Sequence, residues 1–247
     1  MKYRKLKLAG VGAVIVLIFA APSALALDVA IDTSSHGSGP LELAAILTLI
    51  TLAPALLIML TSFTRIVIVL SLLRQALGLQ QTPPNIVITG LALFLTMLVM
   101  VPTWNRIQSS AVDPYMAGKL APKEAIANMQ GPLRDFMLRQ TRVQDIEMAR
   151  GLLAKGNITL PNGTPEGLPF HALVLAFVSS ELTSAFRVGF LMFLPFLVID
   201  LVVSAVLMGL GMFMLPPSVI TIPLKLLIFV LASGWPLLLG NLGASFA

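Results

Sequence analysis

The ionisable residues within the apolar stretches of the chain are its first candidates for chemistry. Glu181, Arg187 and Asp200 lie in one apolar tract that extends to residue 217. A charge at the centre of a membrane helix costs about 2.5 to 3.5 kcal/mol on insertion scales, so such residues usually face protein or a pathway. Glu181 and Arg187 are too far apart in sequence for a pair on one helix face. We therefore expect these three charges to be buried. Their role is either structural pairing and gating in an assembly, or the relay of protons or ions.

Other catalytic chemistry has little support in the sequence. His36 and His171 have no second histidine at ligand spacing, and the chain has no cysteine for a thiolate or a cysteine metal site. No nucleophile elbow, zinc-protease motif or phosphate-binding loop is present in the sequence. The sequence therefore predicts no catalytic residue, no metal site and no cofactor.

A methionine-rich cluster closes the same apolar tract. Met208, Met212, Phe213 and Met214 stand directly before Pro216 and Pro217. Methionine often fills irregular gaps in a core, which is one interpretation of the cluster. The other is a deformable apolar seal, because methionine side chains are flexible and the cluster lies between two apolar helices.

Small residues recur at helical spacing in the first part of this half. The residues at this spacing are Ala172, Ala176, Ser180 and Ser184. Small side chains along one face let another helix backbone approach closely. This pattern predicts a helix-packing face.

Composition defines the class of protein. Hydrophobic residues make up 57% and charged residues 11% of the chain, and the mean hydropathy is +0.94. A soluble domain is far less apolar, so the chain is predicted to be a membrane protein. The formal net charge of +5 is spread without an aromatic and basic patch, so nucleic acid is not an expected partner.

The N-terminus is typical of an export signal. A basic start, an apolar core and small residues at Ala24 and Ala26 predict a signal peptide over residues 1–26, cleaved after Ala26. An uncleaved first membrane helix is the alternative. Residues 27–40 are polar and rich in glycine and serine, and we expect a flexible periplasmic arm.

The remaining chain is predicted to form two helical hairpins around an insert. Residues 41–103 form the first, from helices Leu41–Phe63 and Ile86–Val101, and residues 170–247 form the second, with the methionine-rich cluster in its loop. Pro54 and Pro195 are expected to kink their helices, and Gly234, Trp235 and Pro236 are expected to interrupt the last apolar stretch, residues 222–239. The topological markers are basic residues, which the positive-inside rule places in the cytoplasm: Arg65, Arg74 and Lys225.

Residues 104–169 have the composition of a water-exposed module, predicted to be helical and periplasmic. Two charge pairs have helical spacing: Asp135 with Arg139, and Arg142 with Asp145. An apolar stripe accompanies them. We expect one helix that begins near Pro132 and ends at Gly151.

Several long segments resemble the FliP/SctR family of type III export gates. They are ELTSAFRVGF, PFLVIDLVVSAVLMGLGMFMLPP, PLKLLIFVLASGWPLLLG and FTRIVIVLSLLRQALGLQQTPPNIVITGLALFLT. The resemblance covers nearly the whole chain after the leader, and the leader favours the flagellar branch. It implies a multi-pass protein of the bacterial inner membrane and the flagellar basal body, with lipid around it.

The resemblance also implies partners and a role for the methionine-rich cluster. Members of this family assemble as several copies with FliQ and FliR into a helical channel, docked to FlhB and FlhA, through which unfolded flagellar proteins leave the cytoplasm. Their methionine gasket corresponds here to Met212, Phe213 and Met214, with Met208 one helical turn earlier. A third methionine is expected where Phe213 stands.

The predicted fold is therefore an all-α membrane protein with two long kinked helical hairpins and a helical extramembrane insert, which assembles into a multi-subunit export gate. Two other functions stay open. A secondary transporter would need a discontinuous helix and a small polar pocket at mid-membrane. An intramembrane enzyme would need polar catalytic groups that converge.

Overall fold

A computed structural model of the chain describes residues 58–156 and 167–246, and before them only residues 48, 51, 52, 54 and 55. The chain divides into two compact units, residues 1–57 and 58–247. The predicted leader, the arm and residues 157–166 lie outside the described residues. So does most of the first predicted helix, although its described residues between 48 and 60 are helical.

The all-helical prediction is confirmed for the described part of the chain, which contains no strand. Its first half holds α1 (Phe63–Ala76), α2 (Asn85–Ile107), a π-helical turn (Gln108–Val112) and the short α3 (Asp113–Met116). The insert consists of α4 (Pro122–Gln140) and α5 (Val143–Lys155). The second half holds α6 (Phe170–Gly209), α7 (Ser218–Leu231) and α8 (Gly234–Ala244).

Two helical segments are long and apolar enough to cross a membrane. They are Asn85–Met116 and Phe170–Gly209, and α7 with α8 makes a third if this pair, bent by 66°, counts as one span. In the most apolar 18 residues of each long segment, only 22% of Asn85–Met116 and 17% of Phe170–Gly209 is buried within the chain. Lipid or other protein must therefore cover most of their surface.

Helix α1 is longer than the sequence predicts. The segment between the two apolar helices of the first hairpin was expected to be a connector that is helical only from Leu72 to Leu77, but α1 begins at Phe63 and is a core helix that lies along α6. Ile66 and Val69 are fully buried on one face of it. The approach of the two helices requires Gly189, because a Cβ atom there would come within 2.2 Å of Leu72 Cδ1. The connection is instead the shorter segment that follows Gly78 and precedes α2.

Two helices, α4 and α5, stand in the insert where a single helix from Pro132 to Gly151 was predicted. Pro132 lies inside α4 and Gly151 lies inside α5, and the chain breaks between them at Thr141 and Arg142. The actual start at Pro122 is favoured by proline at the first helical position and by Glu124, whose carboxylate accepts the Ala121 N–H at 3.1 Å. Helix α2 also runs past the predicted boundary at residue 104.

The two insert helices pack on the first half of α6. Phe136 and Met137 of α4 and Ile146 of α5 meet Leu173 and Phe177 of α6 in one buried cluster. The Phe136 and Phe177 rings touch edge to face with centroids 5.8 Å apart. Burial of aromatic and aliphatic side chains of this size supplies the main stabilisation of the contact.

The second half contains the long apolar helix α6 and, after the loop at residues 210–217, the helices α7 and α8. Helix α6 is continuous through Pro195, so a kink there stays a prediction. The predicted interruption at Gly234 is confirmed, since the bend between α7 and α8 falls at Ser233, whose φ is 52°.

Candidate functional site

The loop between α6 and α7 carries the methionine-rich cluster. Helix α6 ends in a Schellman motif, in which the Gly211 N–H donates to Met208 O and the Met212 N–H donates to Leu207 O, both at 3.0 Å. Gly211 has a φ of +75°, a conformation that suits glycine and few other residues. On the other side, Pro217 O accepts N–H groups from the first turn of α7. The backbone of the loop is therefore fixed at both ends.

The side chains of this loop point away from the chain's own core. Met214 is 96% exposed and Phe213 is 78% exposed, while Met208 and Met212 are also exposed. A methionine that fills a core gap would be buried, so core packing within one chain does not account for the cluster. The loop is a fixed backbone frame that presents a flexible apolar tip.

A charge pair ties the two helices of this hairpin together. Lys225 Nζ of α7 donates to Asp200 Oδ2 of α6 at 2.6 Å and to Ala76 O at the end of α1 at 3.1 Å. A cation at this position also suits the negative end of the α1 dipole. Lys225 is only 5% exposed, so it has a structural role in the fold, and its predicted cytoplasmic location stays a prediction. It joins three helices.

A polar cavity of about 490 Å³ adjoins this pair. Asp200, Ser204, Thr221 and Lys225 are among its lining residues, together with glutamines at the end of α1. No motif in the sequence predicts this cavity. The cavity forms because residues from both sides of the hairpin and from α1 converge there.

A second charge node lies near the insert. Arg65 of α1 donates through Nε to Glu181 Oε2 of α6 at 3.0 Å, and its Nη2 donates to Glu181 Oε1. Glu181 is fully buried and Arg65 is 5% exposed. Arg65 was predicted to mark the cytoplasmic side of the membrane, and that placement stays a prediction. Its guanidinium also has a structural role, because it neutralises a buried carboxylate.

The remaining donors of Arg65 bind other elements. Its Nη1 donates to Ser245 O at 3.3 Å and to Ser245 Oγ at 3.2 Å, and its Nη2 donates to Gln140 Oε1 at 3.3 Å. The guanidinium also lies over the Phe246 ring, 4.0 Å from its centroid. One side chain thus links α1, α4, α6 and the segment after α8.

The small-residue face packs against the chain's own insert. Ala172, Ala176 and Ser180 are buried and Ser184 is half-buried. Ser180 Oγ donates to Gln140 O at 3.2 Å and accepts the Arg142 N–H at 3.0 Å. Ser180 therefore receives the break between α4 and α5, and a close helix approach along the whole face stays a prediction.

The insert is further tied to α6 by a hydrogen bond that ends on a predicted ion pair. Arg142 and Asp145 pair at 2.8 Å, as expected, and Asp145 also accepts the Ser179 hydroxyl at 2.8 Å. The other expected pair does not form, because Asp135 approaches Arg106 of α2 at 3.7 Å instead of Arg139.

The three predicted charges of α6 have different surroundings. Glu181 and Asp200 are brought to separate nodes with basic partners on other helices. Arg187 is exposed and forms no ion pair with a described residue, so its expected burial does not occur within this chain. The sequence did contain a signal for both missed partners, since Arg65 and Lys225 each stand alone among apolar residues.

Metal and cofactor sites were not expected, and no group of three potential ligands occurs among the described residues. The polar groups of the two nodes bind one another. Their chemistry in this arrangement is structural pairing.

Comparison with known proteins gives one consistent result. The model of the FliP family matches residues 46–242. The chain is 47% identical to the flagellar biosynthetic protein FliP of Pectobacterium carotovorum subsp. carotovorum over 241 residues, which is 95% of this chain and 92% of that protein. It is 43% identical to the protein of the same name from Bacillus subtilis (strain 168) over 209 residues, or 85% and 93% of the two chains.

Proposed function

The chain belongs to the FliP family of flagellar export proteins, and from this membership we propose that it is a core subunit of the flagellar type III export gate. Several copies assemble with FliQ and FliR into a channel for unfolded flagellar proteins, and the channel docks to FlhB and FlhA. The apolar helices suit the inner membrane, where the gate would lie at the base of the flagellum.

The exposed loop at the tip of the second hairpin carries this proposal. Met212, Phe213 and Met214 lie on a fixed backbone and contact little of their own chain. Apolar side chains exposed in this way are expected to be covered by other protein or by a closed ring of their own kind. Copies around an axis would bring these tips together, as a channel constriction requires.

Such a ring can close without any polar contact. A narrow apolar constriction excludes water and therefore ions, which is closure by dewetting. Methionine has three rotatable side-chain bonds, so the ring can adapt to a passing chain of varied side chains. Phe213 is equally apolar but stiffer, and it would limit the smallest aperture more firmly than a methionine.

The two charge nodes hold the hairpin that carries the ring. The pair of Lys225 and Asp200 fixes α7 against α6, and the pair of Arg65 and Glu181 fixes α1 against α6. We assign both nodes to assembly and to the stiffness of the gate, since each charge already has a close partner.

A secondary transporter is the second candidate, and the polar cavity next to Asp200 is the observation that favours it. The bend of 66° between α7 and α8 adds a discontinuous helix. Family membership weighs more, because it covers most of the chain.

Purification of the tagged full-length protein from membranes distinguishes the two functions. An export gate predicts a multi-copy complex that contains FliQ and FliR, and loss of that complex in cells that lack FliR. A monomer or small dimer that restores flagellar assembly would contradict the gate and favour the transporter.

A further inference from the structure

A second cavity, almost wholly apolar, opens between four helices at one end of the predicted membrane span. Its volume is about 370 Å³, which is within the range of ligand pockets. Leu70 and Leu73 of α1, Val87 and Leu91 of α2, and Leu226 of α7 are among its lining residues. Val87 is 52% exposed, so the cavity is open to the surroundings of the helix bundle.

One charged residue lies at this cavity, and it is Arg74 in the last turn of α1. Its Nη1 donates to Asn85 Oδ1 at 2.7 Å and to Pro83 O at 3.2 Å. Both acceptors are neutral, and no ion pair neutralises Arg74 among the described residues. Its Nε is buried and has no hydrogen-bond partner. The guanidinium thus keeps an unneutralised charge beside an apolar cavity.

The location of Arg74 at the start of an apolar helix points to the occupant. Asn85, which Arg74 binds, is the first residue of the candidate span that includes α2, and the positive-inside rule predicts that Arg74 lies on the cytoplasmic side. Leu91 lies roughly 9 Å further along the helix axis, at a rise of about 1.5 Å per residue. A molecule with an anionic group at the membrane surface and a hydrocarbon chain below it would meet the charge first and the apolar lining next.

We propose that this cavity binds an anionic phospholipid of the cytoplasmic leaflet, with its phosphate on Arg74 and one acyl chain along Val87 and Leu91. Arginine binds phosphate strongly because two N–H groups can donate to two oxygens at once. Basic pockets between membrane helices at the cytoplasmic side are typical sites for anionic head groups. The site is independent of the export channel and would anchor the first half of the chain to the bilayer.

Trp235 gives this proposal a direct readout. It lines the cavity, and its ring contacts Phe229 with centroids 5.5 Å apart. The chain has two tryptophans, so Trp104→Phe leaves Trp235 as its single fluorophore of this kind. Bromine atoms on a lipid acyl chain quench tryptophan fluorescence only at short range.

The test compares brominated phosphatidylglycerol with brominated phosphatidylcholine in vesicles that contain the full-length Trp104→Phe protein. At equal mole fractions the anionic lipid should quench Trp235 more strongly than the zwitterionic lipid. The attraction of an anionic head group to one basic residue is about 1 kcal/mol, which corresponds to about fivefold higher occupancy of the cavity by the anionic lipid. Arg74→Gln should remove the difference between the lipids, and Arg74→Lys should keep part of it. Lys155→Gln, which removes an exposed charge at the end of α5, should leave it unchanged.

Three results would overturn the proposal. Equal quenching by both lipids would show that the head group is not recognised. Absence of quenching by either lipid would show that a protein segment, such as a helix of a neighbouring subunit, fills the cavity. An undiminished preference in the Arg74→Gln protein would place the recognition elsewhere. The first two results need no substitution at Arg74, so they hold even if that variant does not fold.

Discussion

Arg65 and Glu181 meet in the interior of the protein although 116 residues separate them in sequence. Arg65 Nε donates to Glu181 Oε2 at 3.0 Å, and a second N–H group of the guanidinium binds the other carboxylate oxygen. The pair fixes the register of α1 against α6 and brings Gln140 and Ser245 to the same point. A carboxylate held in this way acts as an anchor between helices, which favours structural pairing as the role of Glu181.

The first prediction follows from the burial of this pair. Glu181→Leu should destabilise the protein by about 3 to 5 kcal/mol, because it leaves the Arg65 charge buried without a partner. The double variant Arg65→Met with Glu181→Leu should recover much of this loss. Thermal unfolding of the protein in detergent measures both effects, and a double variant no better than Glu181→Leu would contradict the pairing.

The second prediction concerns the docking of the insert. Ser180→Ala leaves the Arg142 N–H and the Gln140 carbonyl without their partner, at a cost of about 1 to 3 kcal/mol. Ser180→Leu should be worse, since the residue has no exposed surface to accommodate the larger side chain. Protease cleavage near Thr141 should rise in both variants and much less in Ser184→Leu, whose position is half-buried. Equal cleavage in all three would show that the face is not specific.

The third prediction uses an asymmetry in the Asp200 and Lys225 pair. The Lys225 side chain is 6% exposed, whereas that of Asp200 is 44% exposed. Asp200→Asn leaves a buried cation without its counter-ion, while Lys225→Met leaves a carboxylate that water can still reach. Yield of the assembled complex should therefore fall further for Asp200→Asn than for Lys225→Met. The reverse order would mean that the hydrogen bond from Lys225 to Ala76 O matters more than the charge.

The fourth prediction concerns the leader, which lies outside the described residues. Small residues at Ala24 and Ala26 favour cleavage after Ala26. Mass spectrometry of the protein from membranes should find an N-terminus at Leu27. Protein that retains Met1 after insertion would support the uncleaved membrane helix instead.

The sequence predicted those parts of the fold that depend on local pattern. The length of the apolar stretch predicted the long helix α6, and Gly234 with Pro236 predicted the break between α7 and α8. Both signals lie in consecutive residues of the sequence. The charge partners could not be predicted in the same way. Arg65 and Lys225 follow the positive-inside pattern as residues in a sequence, and only the fold brings Glu181 and Asp200 to them.

The candidate gate was predicted in position but not in detail. The cluster at Met212 was located from composition and from the resemblance to a family, whereas its exposure depends on the turn at Gly211. Arg187 shows the limit of reasoning from one chain's hydropathy. It lies in an apolar tract, but its side chain is on the exposed face of α6. The sequence alone does not show which residues lie next to it.

The central claim is that Met212, Phe213 and Met214 of several copies form the apolar constriction of the export channel. Replacing all three with alanine removes side-chain bulk from every copy and should widen the closed ring, so that water and ions enter. The measurement is ion leak across the membrane of cells that express this variant, with the yield of the assembled complex as the control. A matched control is alanine at Val219, an exposed apolar residue just beyond the loop in α7. We expect a leaky membrane with normal complex yield for the triple variant and a tight membrane for Val219→Ala. A tight membrane with normal yield of the triple variant would contradict it and place the constriction elsewhere in the assembly.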